Sequence, residues 1–534
     1  MTAFIITVFV VCGIYMVLNF KRDIHVMQQN SYRIDRFWHW QRDNVASGWR
    51  LVDVALLFLL FSTLLTPVFS SLIIAMTAIS KIFLILRAKY KKPLVFTKRV
   101  WRIYVATALI PVLGYMALCI AGMHGELEGL WTSHNEIVIP LGALLMVTIF
   151  SWAFVILGVF CLKPVESAIN RKYWNEASGI LKSMNDLTVI GITGSFGKTS
   201  TKHYLHRILS EQYDVLMTPG SYNTPMGVIR TIRELMQPHN RIFICEMGAK
   251  QKGDIKEICD LVHPSIGIIT AVGPMHLESF GSIENVQSTK FELADALPSD
   301  GLAVVNNDFE YCANRPVENV PTLRYAVSTP DAADYRAENI VYTPGGTSFD
   351  VVGPDGFRLS LFTRLVGECN ISNLVAAIIV ALYLKVDVDR IKYAVERIEQ
   401  VEHRLNLKQT PGGVTIIDDA FNSNPAGSRM AIDVLNHFDK GKRIIITPGM
   451  IELGDRQYEL NKELGKYIGE KVDIAIIVGE YNRAPLVDGI VSAGFDKKNL
   501  YTVASFNEAQ KLLGTMLAPG DTVLYENDLP DTFK

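Results

Sequence analysis

Apolar residues are spread so unevenly along these 534 residues that no single folding environment suits the whole chain. Residues 2–20 (TAFIITVFVVCGIYMVLNF) carry no charge over 19 positions. As a helix they would extend about 28 Å, enough to cross a bilayer. Neither a basic start nor a small-residue cleavage site marks a signal peptide, so the segment reads as a retained span. Further apolar segments occupy 51–66, 68–86, 103–122 and 137–161. The 51–86 stretch can be a hairpin breaking near Pro67 to Ser71, or one long tilted helix. Loop charge favours the hairpin. The 21–50 loop holds Lys21, Arg22, Arg33, Arg36, Arg42 and Arg50, and the 87–102 loop holds Arg87, Lys89, Lys91, Lys92, Lys98, Arg99 and Arg102. Both belong on the cytoplasmic side, which requires an even number of crossings between them. The 123–136 loop has three Glu and no Lys or Arg and reads as external. Residues 1–162 are therefore expected to form five transmembrane helices with the amino terminus outside. That topology makes a multi-pass protein of the inner (cytoplasmic) membrane, with everything after Lys163 in the cytoplasm. Asp53 and Lys81, near span ends, read as snorkelling or capping groups. The spans serve either as an anchor or as a holder of a lipid-linked substrate.

The remaining chain has a different grain. A net charge of −2 gives no global basic field, and nucleic acid is not an expected partner. Seven cysteines stand singly without a CxxC pair, which fits reduced thiols and a cytosolic catalytic part. After a polar linker at 163–186, short apolar runs (LTVIGITG, RIFICEMG, SIGIITAVG, GLAVVNND) alternate with helical spacing, the signature of a doubly wound α/β sheet. Residues 321–366 read as an antiparallel excursion, and 370–385 as a buried helix opened by the capping-prone Asn370. A second alternation from about 413 (GVTIIDDAF, KRIIITPGM, VDIAIIVGE, NLYTVAS, DTVLYEND) makes a separate Rossmann-like domain. The expected boundaries are 187–402 and 403–534.

The first strand of the soluble part runs into Gly194, Ser195, Phe196, Gly197, Lys198, Thr199 and Ser200, with a helix beyond. Glycines let backbone N–H groups approach phosphate oxygens, and the helix start adds positive potential. Lys198 would reach the β- and γ-phosphates of ATP, and the Thr199 hydroxyl would ligate Mg²⁺. Strict Walker spacing asks for Gly at 192, where this chain has Ile192; what stands is Thr-Gly-x-x-Gly-Lys-Thr. A structural glycine turn explains the bend but not the Lys198-Thr199 pair.

TGSFGKTS, GSYNTPMGV (220–228), EMGA (246–249), GPMHLESFGS (273–282), STKFEL (288–293), VVNND (304–308), GECNISN (367–373), HRL (403–405), DDAFNSNP (418–425) and PGMIELG (448–454) follow one another in this chain. Together they resemble the Mur ligase superfamily over about 187–530, most closely the type that adds D-Ala-D-Ala to a muramyl tripeptide. The resemblance implies an ATP-dependent carbon–nitrogen ligase using ATP and Mg²⁺. It implies Thr199 and Glu246 as ligands of one ion, and His276 with Lys290 (as a carbamate) as ligands of a second. It implies adenine contacts from Asn306 and Asn370. Arg404 would reach the γ-phosphate, and Asp419 would position the ribose or the interdomain linker. Asn422, Asn424 and Pro425 would shape the amine entry, and Asn223 and Thr224 would contact the acceptor carboxylate. The 400–412 segment is the expected hinge.

The chain departs from the pattern in three places. Membrane spans replace the family's own first domain; the Gly-x-His-Asn pattern reads Gly367-Glu368-Cys369-Asn370; and the usual Lys-Gly-Ser run near the end is Tyr525-Glu526-Asn527-Asp528. These departures point to an amino acid or amine joined to the carboxylate of an envelope or capsule precursor, such as a lipid-linked glycan. The acidic tail reads either as a receptor for a cationic amine or as an ordinary surface loop. The alternatives are authentic D-Ala-D-Ala addition, a poly-amino-acid (poly-gamma-glutamate type) synthetase, or, in another class, an ATP-regulated transporter component.

Overall fold

The computed structural model describes residues 2–30, 32–43, 52, 54–56, 67–88, 93–123, 135–329, 333–343, 346–420 and 423–529. They divide into two compact units, Met1–Arg171 and Lys172–Lys534.

In the first unit the helices are Thr2–Gln29, Ile34–Asp43, Pro67–Arg87, Lys98–Met123, Asn135–Ile149 and the start of Ser151–Lys182. Their apolar faces point outward at a helical repeat: Ile6, Val10, Ile14 and Val17 on one helix, Leu72, Met76, Ile79 and Phe83 on another. Asn19, Asp23, Thr107, Thr148 and Ser151 are buried instead. Among the described residues one helix, Ser151–Lys182, has the length and apolar window needed to cross a membrane.

Several expectations need correcting here. Segment 51–66 lies largely outside the described residues, as does Asp53. The 21–50 stretch is not a simple loop, because the first helix continues to Gln29 and a second covers Ile34–Asp43. The apolar run 137–161 is two helices parted at Phe150. There Asn19 Nδ2 donates to the Thr148 carbonyl at 2.9 Å and to Ser151 Oγ at 3.0 Å. It thereby takes the acceptor that residue 152 needs in an unbroken helix. The linker expected at 163–186 is helical to Lys182. The reason is an apolar stripe: Ala177 is buried, and Tyr173, Trp174, Ile180 and Leu181 pack on the core below.

The second unit contains two sheets. The first has nine strands in the order β2-β3-β1-β4-β5-β6-β7-β8-β9. These are β1 (Thr188–Thr193), β2 (Val215–Met217), β3 (Ile242–Glu246), β4 (Ile266–Ile269), β5 (Leu302–Asn306), β6 (Thr322–Ala326), β7 (Tyr335–Thr343), β8 (Gly346–Val352) and β9 (Arg358–Thr363). Pairing is parallel from β2 through β7 and antiparallel across β7, β8 and β9. The continuous apolar runs arise because both faces are covered. Helices Lys198–Leu209, Glu368–Tyr383 and Val388–Glu396 supply one layer of core, and Pro225–Leu235, Asp254–Val262 and Ile283–Asp295 the other. The apolar helix near 370 is buried as expected, but its cap is Gly367 and Asn370 lies inside it.

The second sheet has the order β10-β11-β15-β12-β13-β14. Its strands are β10 (Asn406–Gln409), β11 (Thr415–Asp419), β12 (Arg443–Thr447), β13 (Ile474–Val478), β14 (Leu500–Val503) and β15 (Thr522–Glu526). All pairs are parallel except β10 with β11. Four of the thirteen residues of the expected 400–412 hinge, Asn406–Gln409, are therefore strand β10, zipped onto β11 through four register pairs.

Candidate active site

Parallel α/β sheets bind ligands beyond the carboxyl ends of their strands, and the expected residues gather there. β1 ends at Thr193, residues 194–197 turn, and a helix starts at Lys198. Gly197 is the cap of that helix and provides no side-chain hydrogen bond, so its first N–H groups face outward as an anion site. The glycines are required: Gly194 and Gly197 have φ of +155° and +83°, and a Cβ would lie 2.1 Å from Thr270 Oγ1 at the first and 2.5 Å from Asn373 Oδ1 at the second. Ser195 Oγ clips the loop to the Gly273 carbonyl at 3.1 Å. Phe196 stacks edge-on against Phe309 at 5.0 Å.

Lys198 Nζ folds onto the loop, donating to the Gly194 carbonyl at 2.6 Å and to Ser195 at 3.2 Å. Burial lowers its pKa to about 8, with Glu246 opposing and Arg404 adding to the shift. Glu246 ends β3. Its Oε1 accepts from Thr199 Oγ1 at 3.2 Å and Asn223 Nδ2 at 3.2 Å. Its Oε2 lies 2.9 Å from Lys202 Nζ, both side chains being buried. Burial alone would raise this carboxyl, but Lys202 and Lys198 outweigh it and hold Glu246 below the usual range. Lys202 went unnoticed in the sequence, though it sits four residues after Lys198 on the same helix face.

His276 follows β4 in a left-handed conformation, φ +55°. Its Nδ1 bonds Glu452 Oε2 from the second sheet's side of the unit. Burial pulls its pKa down against the pull of Glu452. Lys290, on the helix Ile283–Asp295, is buried, 5.9 Å from the Phe280 ring centre. Burial and the nearby Lys198 charge bring it down to about 7. Its site thus favours the free amine over the ammonium, and the free amine is the form that adds to carbon dioxide. Among the described residues no three His, Cys, Asp or Glu side chains are grouped closely enough to hold a metal. Of the residues expected to hold the two ions, Thr199 and Glu246 meet each other, and His276 meets Glu452. The Thr199–Glu246 oxygen pair suits a hard cation such as Mg²⁺. An unmodified Lys290 does not suit one.

A cavity of about 180 Å³ opens beside the loop, lined by Phe196, Asn306, Asn370, Cys369, Arg404 and Asp419 among others. The two asparagines are braced: Asn306 Nδ2 donates to the Thr270 carbonyl at 2.9 Å, and Asn370 Nδ2 donates to Val366 while its Oδ1 accepts from Tyr204 at 2.8 Å. Cys369 keeps its thiol proton, burial pushing it up to about 12. Asp419 ends β11 and accepts from the Leu405 amide at 3.2 Å, which ties it to the segment joining the sheets. Burial raises its pKa to about 7, opposed by Arg404 and reinforced by Glu526. Glu526, across the ladder from Asp419, is not a surface tail residue; it is buried and wrapped by the Ser423, Ser428 and Thr447 hydroxyls. Thr224 and Asn424 cap helices, each accepting from a Gly amide, Gly227 and Gly427. Asn422 lies outside the described residues.

Residues 192–381 match the Mur ligase middle domain, and residues 403–525 match the Mur ligase glutamate ligase domain. A relative from Bacillus subtilis, UDP-N-acetylmuramoyl-tripeptide–D-alanyl-D-alanine ligase, is 30% identical over 344 residues, 63% of this chain and 72% of its own. This chain belongs to the Mur ligase family. It is an ATP-dependent acid–amino-acid ligase. The Mur ligase of the same name from Haemophilus influenzae is 30% identical over 320 residues, 59% of this chain and 68% of its own. Among solved structures, MurF ligase from Thermotoga maritima in complex with ADP superposes with a TM-score of 0.60 at 26% identity, over 67% of this chain and 80% of that one. Residues 1–171, the N-terminal unit, lie outside both matched domains.

Proposed function

We propose that this Mur ligase joins D-alanyl-D-alanine, or a closely similar amine, to the peptide carboxylate of a muramyl precursor through an acyl phosphate. The observation that carries the reading is the Thr199–Glu246 oxygen pair beside the phosphate loop and Lys198, with buried Lys290 near enough to feel the Lys198 charge, in a chain whose relatives bear that activity in their names. A carboxylate is a poor electrophile until its oxygen becomes a leaving group. Its oxygen attacks the γ-phosphorus, the bond to ADP breaks, and the amine then attacks the acyl carbon, loses a proton and expels phosphate. Lys198 and Arg404 offset the repulsion between the two anions. The loop amides of 194–198 hold the phosphates. Asp419, tied to Leu405, holds the linker so that the second sheet closes over the acyl phosphate and keeps water out. Bound Mg²⁺ supplies charge neutralisation, with Thr199 and Glu246 as holders of one ion and His276 with a Lys290 carbamate as holders of a second.

A second reading has its own support. The unmatched N-terminal unit, together with buried Glu526 beside Asp419, favours a different carboxylate, borne by an envelope or capsule glycan or a growing poly-amino-acid chain. The outward apolar faces of the N-terminal helices and the length of Ser151–Lys182 support a multi-pass inner-membrane anchor, with five spans and a cytoplasmic ligase. Incubating the full chain in detergent with ATP and candidate substrates, and following phosphate, tests these readings. The first predicts release only when muramyl tripeptide and D-Ala-D-Ala are both present. Release with another carboxylate alone selects the second. Release indifferent to both substrates defeats the ligase reading and leaves the transporter. Lys290→Ala is expected to lose activity and regain part of it with short carboxylic acids; a fully active variant without them removes the carbamate.

A further inference from the structure

The loop after β12, residues 448–453, is held more firmly than a surface connection requires. The Met450 carbonyl accepts from three side chains: Gln457 Nε2 at 2.5 Å, Asn482 Nδ2 at 2.9 Å and Asn461 Nδ2 at 3.1 Å. The Met450 amide donates to Asn461 Oδ1 at 2.9 Å, and Asn527 Nδ2 grips the Gly449 carbonyl at 2.6 Å. Asn461 and Asn482 are buried, so these clamps are shielded from competing water. What the clamped loop presents is Glu452, in a left-handed conformation with φ +61°. A non-glycine residue adopts that conformation only where the surroundings over-determine it. Its partner His276 is also left-handed and comes from the other sheet. The Glu452 carboxylate bonds His276 Nδ1, with Lys250 Nζ 4.0 Å from the other oxygen. The Glu452 carbonyl accepts from the Glu278 amide at 3.4 Å.

A carboxylate is acceptor-only, so the imidazole nitrogen facing it carries the hydrogen. Nε2 is then left with its lone pair, the form that ligates a cation. We infer that Glu452 is a positioning residue that fixes His276 in its cation-ligating tautomer, so that closing the two sheets together and completing the second cation site are one event. This rests on the reading of His276 as a ligand given above. It explains why two strained residues meet at one contact between the halves of the unit. By linkage, whatever favours closure tightens the second ion, and the second ion favours closure.

The test is a Mn²⁺ titration of the full chain with a saturating non-hydrolysable ATP analogue, reading free Mn²⁺ by electron paramagnetic resonance. The wild type is expected to hold two ions. Glu452→Ala should weaken the second roughly 10–100-fold and leave the first unchanged, as loss of an outer-shell carboxylate does. Glu452→Gln keeps an oxygen that accepts from Nδ1–H and should fall between the two. Two ions at wild-type affinity in Glu452→Ala, or equal loss of both, overturns the inference while leaving the ligand reading intact. A wild type that holds a single ion overturns both.

Discussion

In the N-terminal unit Ile6, Val10, Ile14 and Val17 face outward while Asn19, Asp23, Thr148 and Ser151 are buried; in the helix Glu368–Tyr383 of the ligase unit, Ile371, Leu374, Val375 and Ile378 are all buried. Both sets follow a helical repeat, yet one is exposed and the other buried, and the first helix buries Val8, Cys12 and Tyr15 on its other side. In water, each large apolar side chain left exposed forgoes about 1.5–3 kcal/mol, and a row of them is not sustained without a non-aqueous neighbour. Burying Asn19 is tolerable because its amide donates twice. Periodicity therefore reports the shape of an element, and only the face left exposed reports the surroundings.

The largest expected effect separates catalysis from anchoring. Lys198→Ala should reduce phosphate release by a factor on the order of 10³, and under the proposed anchoring the protein should still sediment with membranes; loss of that retention in step with activity would mean that the two units are not independent. Next, Ile378→Ala empties a fully buried site and should cost about 2–5 kcal/mol in the thermal unfolding of the ligase unit. A pair of matched substitutions sharpens the contrast directly. Under the proposed anchoring, Met76→Lys on the outward face of Pro67–Arg87 should cost about 2.5–3.5 kcal/mol of membrane insertion. Met226→Lys, on an exposed face of the ligase unit, should stay within about 0.5 kcal/mol. Equal costs would erase the distinction between the two surfaces. The smallest effect is in pH. With Asp419 at about 7, protonation below that value removes the charge facing Arg404, and kcat/KM should fall about fivefold from pH 7 to 6; Asp419→Asn should lack that limb. Stability runs the other way. The folded chain binds this proton more tightly than the unfolded one, so the contribution of Asp419 falls as pH rises from the usual carboxylate range to about 7.

Much of the ligase fold is legible because buried parallel strands must be apolar throughout, and β1, β3, β4, β5 and the strands β11 to β15 lie where such runs occur. The phosphate loop is legible for the same local reason: glycine, lysine and threonine have no cheaper arrangement between strand and helix. Contacts between distant segments were harder. Lys202 against Glu246 and Glu452 against His276 join residues 44 and 176 positions apart, and nothing local in either segment announces its partner. Glu526 was read as part of an acidic tail, since composition cannot tell a strand end covered by three hydroxyls from an exposed turn. The 163–182 segment looked like a linker because six charged residues are scattered through it, although Trp174, Ala177 and Leu181 share one helical stripe.

The central claim is that the carboxylate is activated by direct phosphorylation. Supplying muramyl tripeptide labelled with ¹⁸O in its terminal carboxylate, together with ATP and D-Ala-D-Ala, and weighing the released phosphate by mass spectrometry tests it directly. One labelled oxygen per phosphate is the predicted result. Phosphate free of label, released alongside amide product, contradicts it.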